Sequence, residues 1–221
     1  MHRIRLVALL ALLSLAPLYG LAQEKPDDGL CARTFAKLAE SYRHFTTLEA
    51  HFIHTLHAPA LGQNEVDEGT LYIEKGGRMR WDYTTPPGKL AVADGTESYL
   101  YLPSENQVFI QPLGKGPNAP LAIRLLSGDV EPGKDLLCMG ASRDGDTVVL
   151  RLGLASDAEG VRNLEVRVDR DGKQISEVSY TDSLGNQVDL RLTGIRTPGH
   201  LSPDLFTFTP PKGAQIIRSG G

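Results

Sequence analysis

In RMRWDYT, residues 78–84, every second side chain is oily. In an extended chain, Met79, Trp81 and Tyr83 stand on one side, and Arg78, Arg80 and Asp82 on the other. The same division returns downstream: Val148, Leu150, Leu152 and Leu154 against Arg151; Leu164, Val166 and Val168 against Glu165 and Arg167; Leu190 and Leu192 against Asp189 and Arg191. A sheet of such strands has one apolar face and one wet face, and the apolar face must be covered.

The strand-like runs follow one another closely. Leu48–His57 is a strand, with Phe52 and Leu56 on a shared face, and residues 58–67 read as a polar loop. Thr70–Lys75, Arg78–Thr84, Leu90–Ala93, Ser98–Leu102 and Val108–Leu113 follow, parted by GG at 76–77, TPPG at 85–88, DG at 94–95 and PSEN at 103–106. These are turn signals, and the pattern is that of an antiparallel meander. A second set comprises Thr147–Leu154, Asn163–Asp169, Gln174–Tyr180, Gln187–Leu192 and Leu205–Thr209. Helical spacing is scarce. Phe35, Leu38, Tyr42 and Phe45 make one stripe between Cys31 and about Leu48. Leu121, Leu125 and Leu126 mark a short helix ended by Gly128, and residues 131–140 read as another short turn or helix. About ten or eleven strands with two or three helices in 221 residues is a mainly β, α+β chain of one domain. Its sheet is strongly curved, or forms a closed or partly open barrel.

The first 22 residues read as an export signal rather than part of the fold. His2, Arg3 and Arg5 precede an apolar run from Leu6 to Leu15, too short to span a bilayer, and GLA at 20–22 supplies small residues for cleavage after Ala22. The expected mature domain is therefore 23–221, with no cysteine at its start to carry a lipid. Loss of Arg3 and Arg5 leaves 21 basic against 27 acidic residues, a net charge of −6. That balance argues against nucleic acid or an anionic membrane surface as partner. In an exported chain, Cys31 and Cys138 are either a disulfide or two buried thiols, and the oxidising compartment favours the disulfide.

With so little helix available, the apolar face is either the wall of an ordinary packed core or the lining of a space open to an apolar ligand. Periodicity leaves both open. His44, His51, His54 and His57 resemble a metal cluster, but in a strand His51 and His57 point away from His54, which favours exposed histidines. DRDG at 169–172 lacks the remaining ligands of a calcium loop and reads as a hairpin turn. No G-x-S-x-G, P-loop or H-E-x-x-H motif occurs, and neither an enzyme nor a cofactor is expected.

Five stretches in this order, GTLYIEKGGRMRWDYTTPP (69–87), LAVADG (90–95), YLPSENQV (101–108), APLAIRLLSG (119–128) and FTFTPPKGAQII (206–217), resemble the LolA family. Its members are periplasmic carriers of outer-membrane lipoproteins in Gram-negative bacteria. The resemblance implies an incomplete antiparallel β-barrel of about eleven strands under a helical lid, enclosing a hydrophobic cavity for acyl chains. It implies acylated lipoprotein cargo, an inner-membrane lipoprotein-releasing ABC transporter as donor, an outer-membrane acceptor, and a monomer without covalent chemistry. Phe52, Leu56, Met79, Trp81 and Tyr83 are then cavity residues, and Leu121, Leu125 and Leu126 belong to the lid. The family's pattern before the tryptophan strand is Lys/Arg-Arg-Pro-Gly, whose arginine bonds the lid and holds the empty form shut. Here the run is Glu74–Lys75–Gly76–Gly77, which makes Lys75 a point-like and weaker latch. His54 stands where the family has glutamine. Rival readings on the same fold are a glycolipid-binding relative and an envelope-stress sensor. A structural envelope β-protein with a filled core is a third.

Overall fold

The computed structural model describes residues 28–113, 121–156 and 160–219; the export signal expected over 1–22 lies outside them. Helix α1 (Asp28–His44) leads into β1 (Thr47–Ala58), β2 (Gln63–Glu74), β3 (Arg78–Thr85), β4 (Leu90–Asp94), β5 (Glu97–Leu102) and β6 (Gln107–Pro112). Helix α2 (Leu121–Ser127) follows, then β7 (Leu136–Asp144), β8 (Thr147–Leu154), β9 (Arg162–Asp169), β10 (Ile175–Thr181), β11 (Gln187–Arg196) and β12 (Gln215–Arg218). All twelve strands form one open sheet in the order β12-β6-β5-β4-β3-β2-β1-β11-β10-β9-β8-β7. Neighbours are antiparallel, except that β12 runs parallel to β6.

The chain departs from its sequence reading at four places. Helix α1 stops at His44, and Leu48 belongs to β1, because the β-branched pair Thr46–Thr47 turns the chain extended. Residues 63–67 are strand rather than loop. They pair one-to-one with β1 down to Ala58↔Gln63, and a short turn at Pro59–Leu61 joins the two. Their polarity misleads because this end of the ribbon carries solvent-facing side chains; Val66 is 48% exposed. Within the run 131–140, expected as a turn or helix, residues from Leu136 onward open the edge strand β7, held by β8 and by a bond from Cys138 to Cys31 on α1. Finally, 205–209 is no strand. Pro203–Phe206 form a short 3₁₀ turn, prolines 203, 210 and 211 cannot donate to a ladder, and the last strand is Gln215–Arg218.

The inner face is built from the alternation. Phe52, Leu71, Ile73, Met79, Leu150, Leu164, Val166 and Val168 are wholly buried in one cluster. Cys31, Phe35, Leu38 and Tyr42, spaced four, three and four residues apart, bury one face of α1 against β7 and β8. Burial of each large side chain contributes about 1.5–3 kcal/mol. Helix α2 crosses β2, with Leu121, Leu125 and Leu126 buried and Gly128 at its end. That glycine has φ +76°, and a Cβ there would lie 2.8 Å from Cβ of Tyr42, so the two helices meet at a position only glycine serves.

The outer face is not uniformly wet. Between β11 and β12 the chain crosses back over β3–β6 as a strap. Arg80 donates to the Leu205 carbonyl at 3.1 Å, the Arg78 guanidinium lies over the Phe206 ring, and Phe208 packs on Tyr99 and Tyr101. Beneath it, Val92, Val108, Ile110, Leu201 and Phe206 are buried outside the main cluster and form a second, smaller core.

Candidate functional site

Two hollows lie on the inner face. The larger, about 460 Å³, sits over β3–β6 between Met79, Trp81, Tyr83, Leu100 and Phe109. It exists because β4 presents small residues inward: Ala91 stands opposite Trp81, and Ala93 opposite Met79. The smaller, about 180 Å³, is bounded by Leu126 of α2 and by His54, Val178, Tyr180, Val188 and Leu190. Trp81 and Tyr83 line both. Under them, the Phe52 ring meets Trp81 edge-on at 4.8 Å and Tyr83 at 5.2 Å. Such pairs contribute about 0.5–1.5 kcal/mol each beyond burial.

The ring of Phe52 can lie there because its partner across the ladder is Gly69. A Cβ at Gly69 would come 2.9 Å from Cε1 of Phe52 and 2.0 Å from the Asp82 carbonyl oxygen. Of the residues expected to line a cargo cavity, Met79, Trp81 and Tyr83 border the larger hollow, and Phe52 lies beneath Trp81 and Tyr83. Leu56 is on the same face but further along, between Val188 and Glu65, and borders neither hollow. Leu126 faces the smaller hollow, whereas Leu121 and Leu125 pack into the cluster beneath α2. Lys75 donates from Nζ to the Arg43 carbonyl at 2.6 Å, meeting the last turn of α1, where carbonyls without helical partners attract a cation. Arg124 of α2 pairs with Asp135 at 3.0 Å, tying α2 to the segment that enters β7.

A polar band crosses the inner face beside Tyr83. His54 on β1 stands opposite Asp67 on β2, its Nδ1 3.9 Å from Asp67 Oδ2. Lys89, just before β4, donates to the same oxygen at 2.6 Å, and its ammonium sits 4.4 Å from the centre of the Tyr83 ring. The Asp67 and Lys89 side chains are only 12% and 18% exposed. Burial, helped by the Asp67 charge, pushes the Tyr83 hydroxyl up to about 12, so it remains protonated. The sequence reading missed Asp67 and Lys89. Asp67 follows the inward alternation of Gly69, Leu71 and Ile73, but its place in a polar stretch hid the strand.

Burial also holds the His54 imidazole below its ordinary value, against the opposing pull of Asp67. A lowered histidine contributes stability that is complete above the unfolded value of about 6.5 and is lost as pH falls from there through the folded value. His54→Gln is expected to flatten the fall in melting temperature between about pH 7 and pH 5.5 relative to the unaltered protein. Parallel slopes in the two melting series would remove His54 as the cause.

Among the described residues no group of three or more His, Cys, Asp or Glu is placed to hold a metal ion. His51 and His57 point outward, and His44 and His57 bond Glu40 and Asn64. The turn after β9 is closed by Asp169 Oδ1, which accepts from the amides of Lys173 and Gln174. No helix among these residues is long and apolar enough to cross a membrane.

One open, almost wholly antiparallel sheet with two helices packed on its buried inner face is the class of fold these elements define. Residues 43–209 match the family model for the outer membrane lipoprotein carrier protein LolA, and the chain belongs to that family. It is 30% identical over 204 residues, 86% of either chain, to the outer-membrane lipoprotein carrier protein of Alkalilimnicola ehrlichii. It is 29% identical over 197 residues to that of Chromobacterium violaceum, covering 86% of this chain and 91% of the relative. The fold is also similar to that of an uncharacterized conserved protein from Thermus thermophilus, with a TM-score of 0.52 at 16% identity over 85% of this chain and 98% of the other.

Proposed function

We propose that this protein is a periplasmic carrier that shelters the acyl chains of lipoproteins released from the inner membrane and delivers them to the outer membrane. The observation that carries this reading is the meeting of two largely apolar hollows at Trp81 and Tyr83, the smaller of them against Leu126 of α2. Helices α1 and α2 act as the cover, and the Lys75 bond to the end of α1 acts as its latch. The donor is an inner-membrane lipoprotein-releasing ABC transporter, the recipient an outer-membrane acceptor, and the carrier works as a monomer of residues 23–221 by binding alone, without catalysis.

The energetics set limits on such a carrier. Burial of an acyl chain contributes about 0.8 kcal/mol per methylene, so two or three chains held perfectly would never leave. The larger hollow lies within the range of about 300–1,000 Å³ typical of small-ligand sites, and the smaller one, closed by Leu126, enlarges only as α2 moves aside. Exposure of Leu121, Leu125 and Leu126 then offsets part of the gain, and loading needs outside work while unloading runs downhill.

Trp81 is the only tryptophan and borders both hollows. Its emission is expected to shift to shorter wavelength or be quenched as an acylated lipoprotein or a long-chain amphiphile is titrated in. An unchanged spectrum at saturation would count decisively against the groove as the cargo site.

A further inference from the structure

A charged pair lies at the edge of the groove, next to His54 and the Tyr83 ring. Asp67 and Lys89 bond at 2.6 Å with both side chains over four-fifths buried, and desolvating such a pair returns little stability by itself. A salt bridge placed beside an apolar hollow calls for another explanation. We propose that His54, Asp67, Lys89 and Tyr83 form a subsite for the uncharged carbonyl that heads an acyl chain, ester or amide, whose hydrocarbon lies along Trp81. This rests on the carrier reading above and adds which end of the lipid the groove reads, and where.

His54 lines the smaller hollow and Tyr83 lines both, so an acyl chain lying against Trp81 has its head within reach of this band. The Lys89 ammonium carries three N–H groups; one is given to Asp67 and its charge faces the Tyr83 ring, leaving capacity for a further acceptor. The Tyr83 hydroxyl is a second donor. The His54 ring makes no hydrogen bond in the described structure, its nearest charged neighbour being Asp67 at 3.9 Å. Other charges acting on His54 are Lys89 and Glu65, and Asp189 from the opposite face of the sheet, so the surroundings lean negative. A bare carboxylate or phosphate head meets the Asp67 charge at close range, and an ammonium head meets Lys89. A neutral carbonyl accepts a hydrogen bond without disturbing the pair. The band is thus selective by charge balance, the attraction of one partner being cancelled for any ionic head.

The test uses the mature chain and three probes sharing a lauroyl tail: laurate, glyceryl monolaurate and N-lauroyl ethanolamine, titrated at about pH 8 with Trp81 emission as readout. One charge-assisted hydrogen bond in a water-poor site predicts that the neutral probes bind about tenfold more tightly than laurate. The tighter of the two neutral probes identifies the ester or the amide as the head recognised. Asp67→Asn, which leaves the Lys89 charge unopposed, is expected to raise laurate affinity until it equals or exceeds that of the ester. If all three probes bind the unaltered protein equally, the subsite is refuted while the groove stands. If none binds, the carrier reading fails first. Because the ranking in the unaltered protein decides the matter, the proposal survives or falls even if Asp67→Asn does not fold; thermal melts identify that case.

Discussion

Replacing Cys31 and Cys138 together with serine is expected to lower the stability of the folded chain by about 5 kcal/mol. The bridge joins the first turn of α1 to edge strand β7, with Cα atoms 5.8 Å apart and the two cysteines 107 positions apart in sequence. The covalent loop is long, and closing it removes about that much conformational freedom from the unfolded chain. The loss is also local. Helix α1 reaches β7 and β8 through one apolar stripe, and Cys31 anchors the end of that stripe furthest from β1. Guanidinium unfolding of the double variant should show a lowered midpoint, and limited proteolysis should cut within α1 before the sheet. A change below about 1 kcal/mol would mean that the stripe alone fixes the helix and that the bridge is incidental.

Gly69→Ala should cost about 3 kcal/mol or more, a fall of about 6–12 °C in melting temperature. The added methyl meets a backbone oxygen at 2.0 Å, and a neighbouring strand cannot step aside as a flexible side chain can. The ladder is already irregular here: the β2–β3 register shifts between Glu68 and Gly69. The second clash, with Phe52, tilts the ring that supports Trp81 and Tyr83, so the variant should lose near-ultraviolet circular dichroism from Trp81 at temperatures where it remains folded. A variant with unchanged melting and an unchanged aromatic spectrum would show that the floor of the groove is softer than its packing implies.

Much of the fold is visible in the sequence wherever one face of a strand is buried and the other is not. Met79, Trp81 and Tyr83 alternate cleanly with charged residues because β3 lies between core and outer surface, and the register with β4 follows. Legibility fails where that contrast disappears. Gln63–Asp67 is polar on both sides and looks like loop, yet its pairing with β1 makes it strand. The run Leu136–Met139 is apolar on both sides because one face meets the interior while Leu137 and Met139 lie exposed at a sheet edge, so periodicity mistakes it for a helix turn. The groove itself was half legible. Its aromatic wall is plain in the tryptophan strand, but its volume depends on Ala91 and Ala93, whose importance appears only when register sets them against Trp81 and Met79. The Asp67–Lys89 pair joins residues 22 positions apart and no local pattern announces it.

The strap that crosses β3–β6 bears on what happens when the carrier is empty. Phe206, wedged over Val92 and its neighbours, works like a hoop around a stave: the bend of this half is clamped from outside, whatever the interior holds. Discharge therefore leaves the aromatic wall in shape and ready. Accommodation between laden and vacant forms is then expected on the opposite half and at α2, which have no such girdle among the described residues.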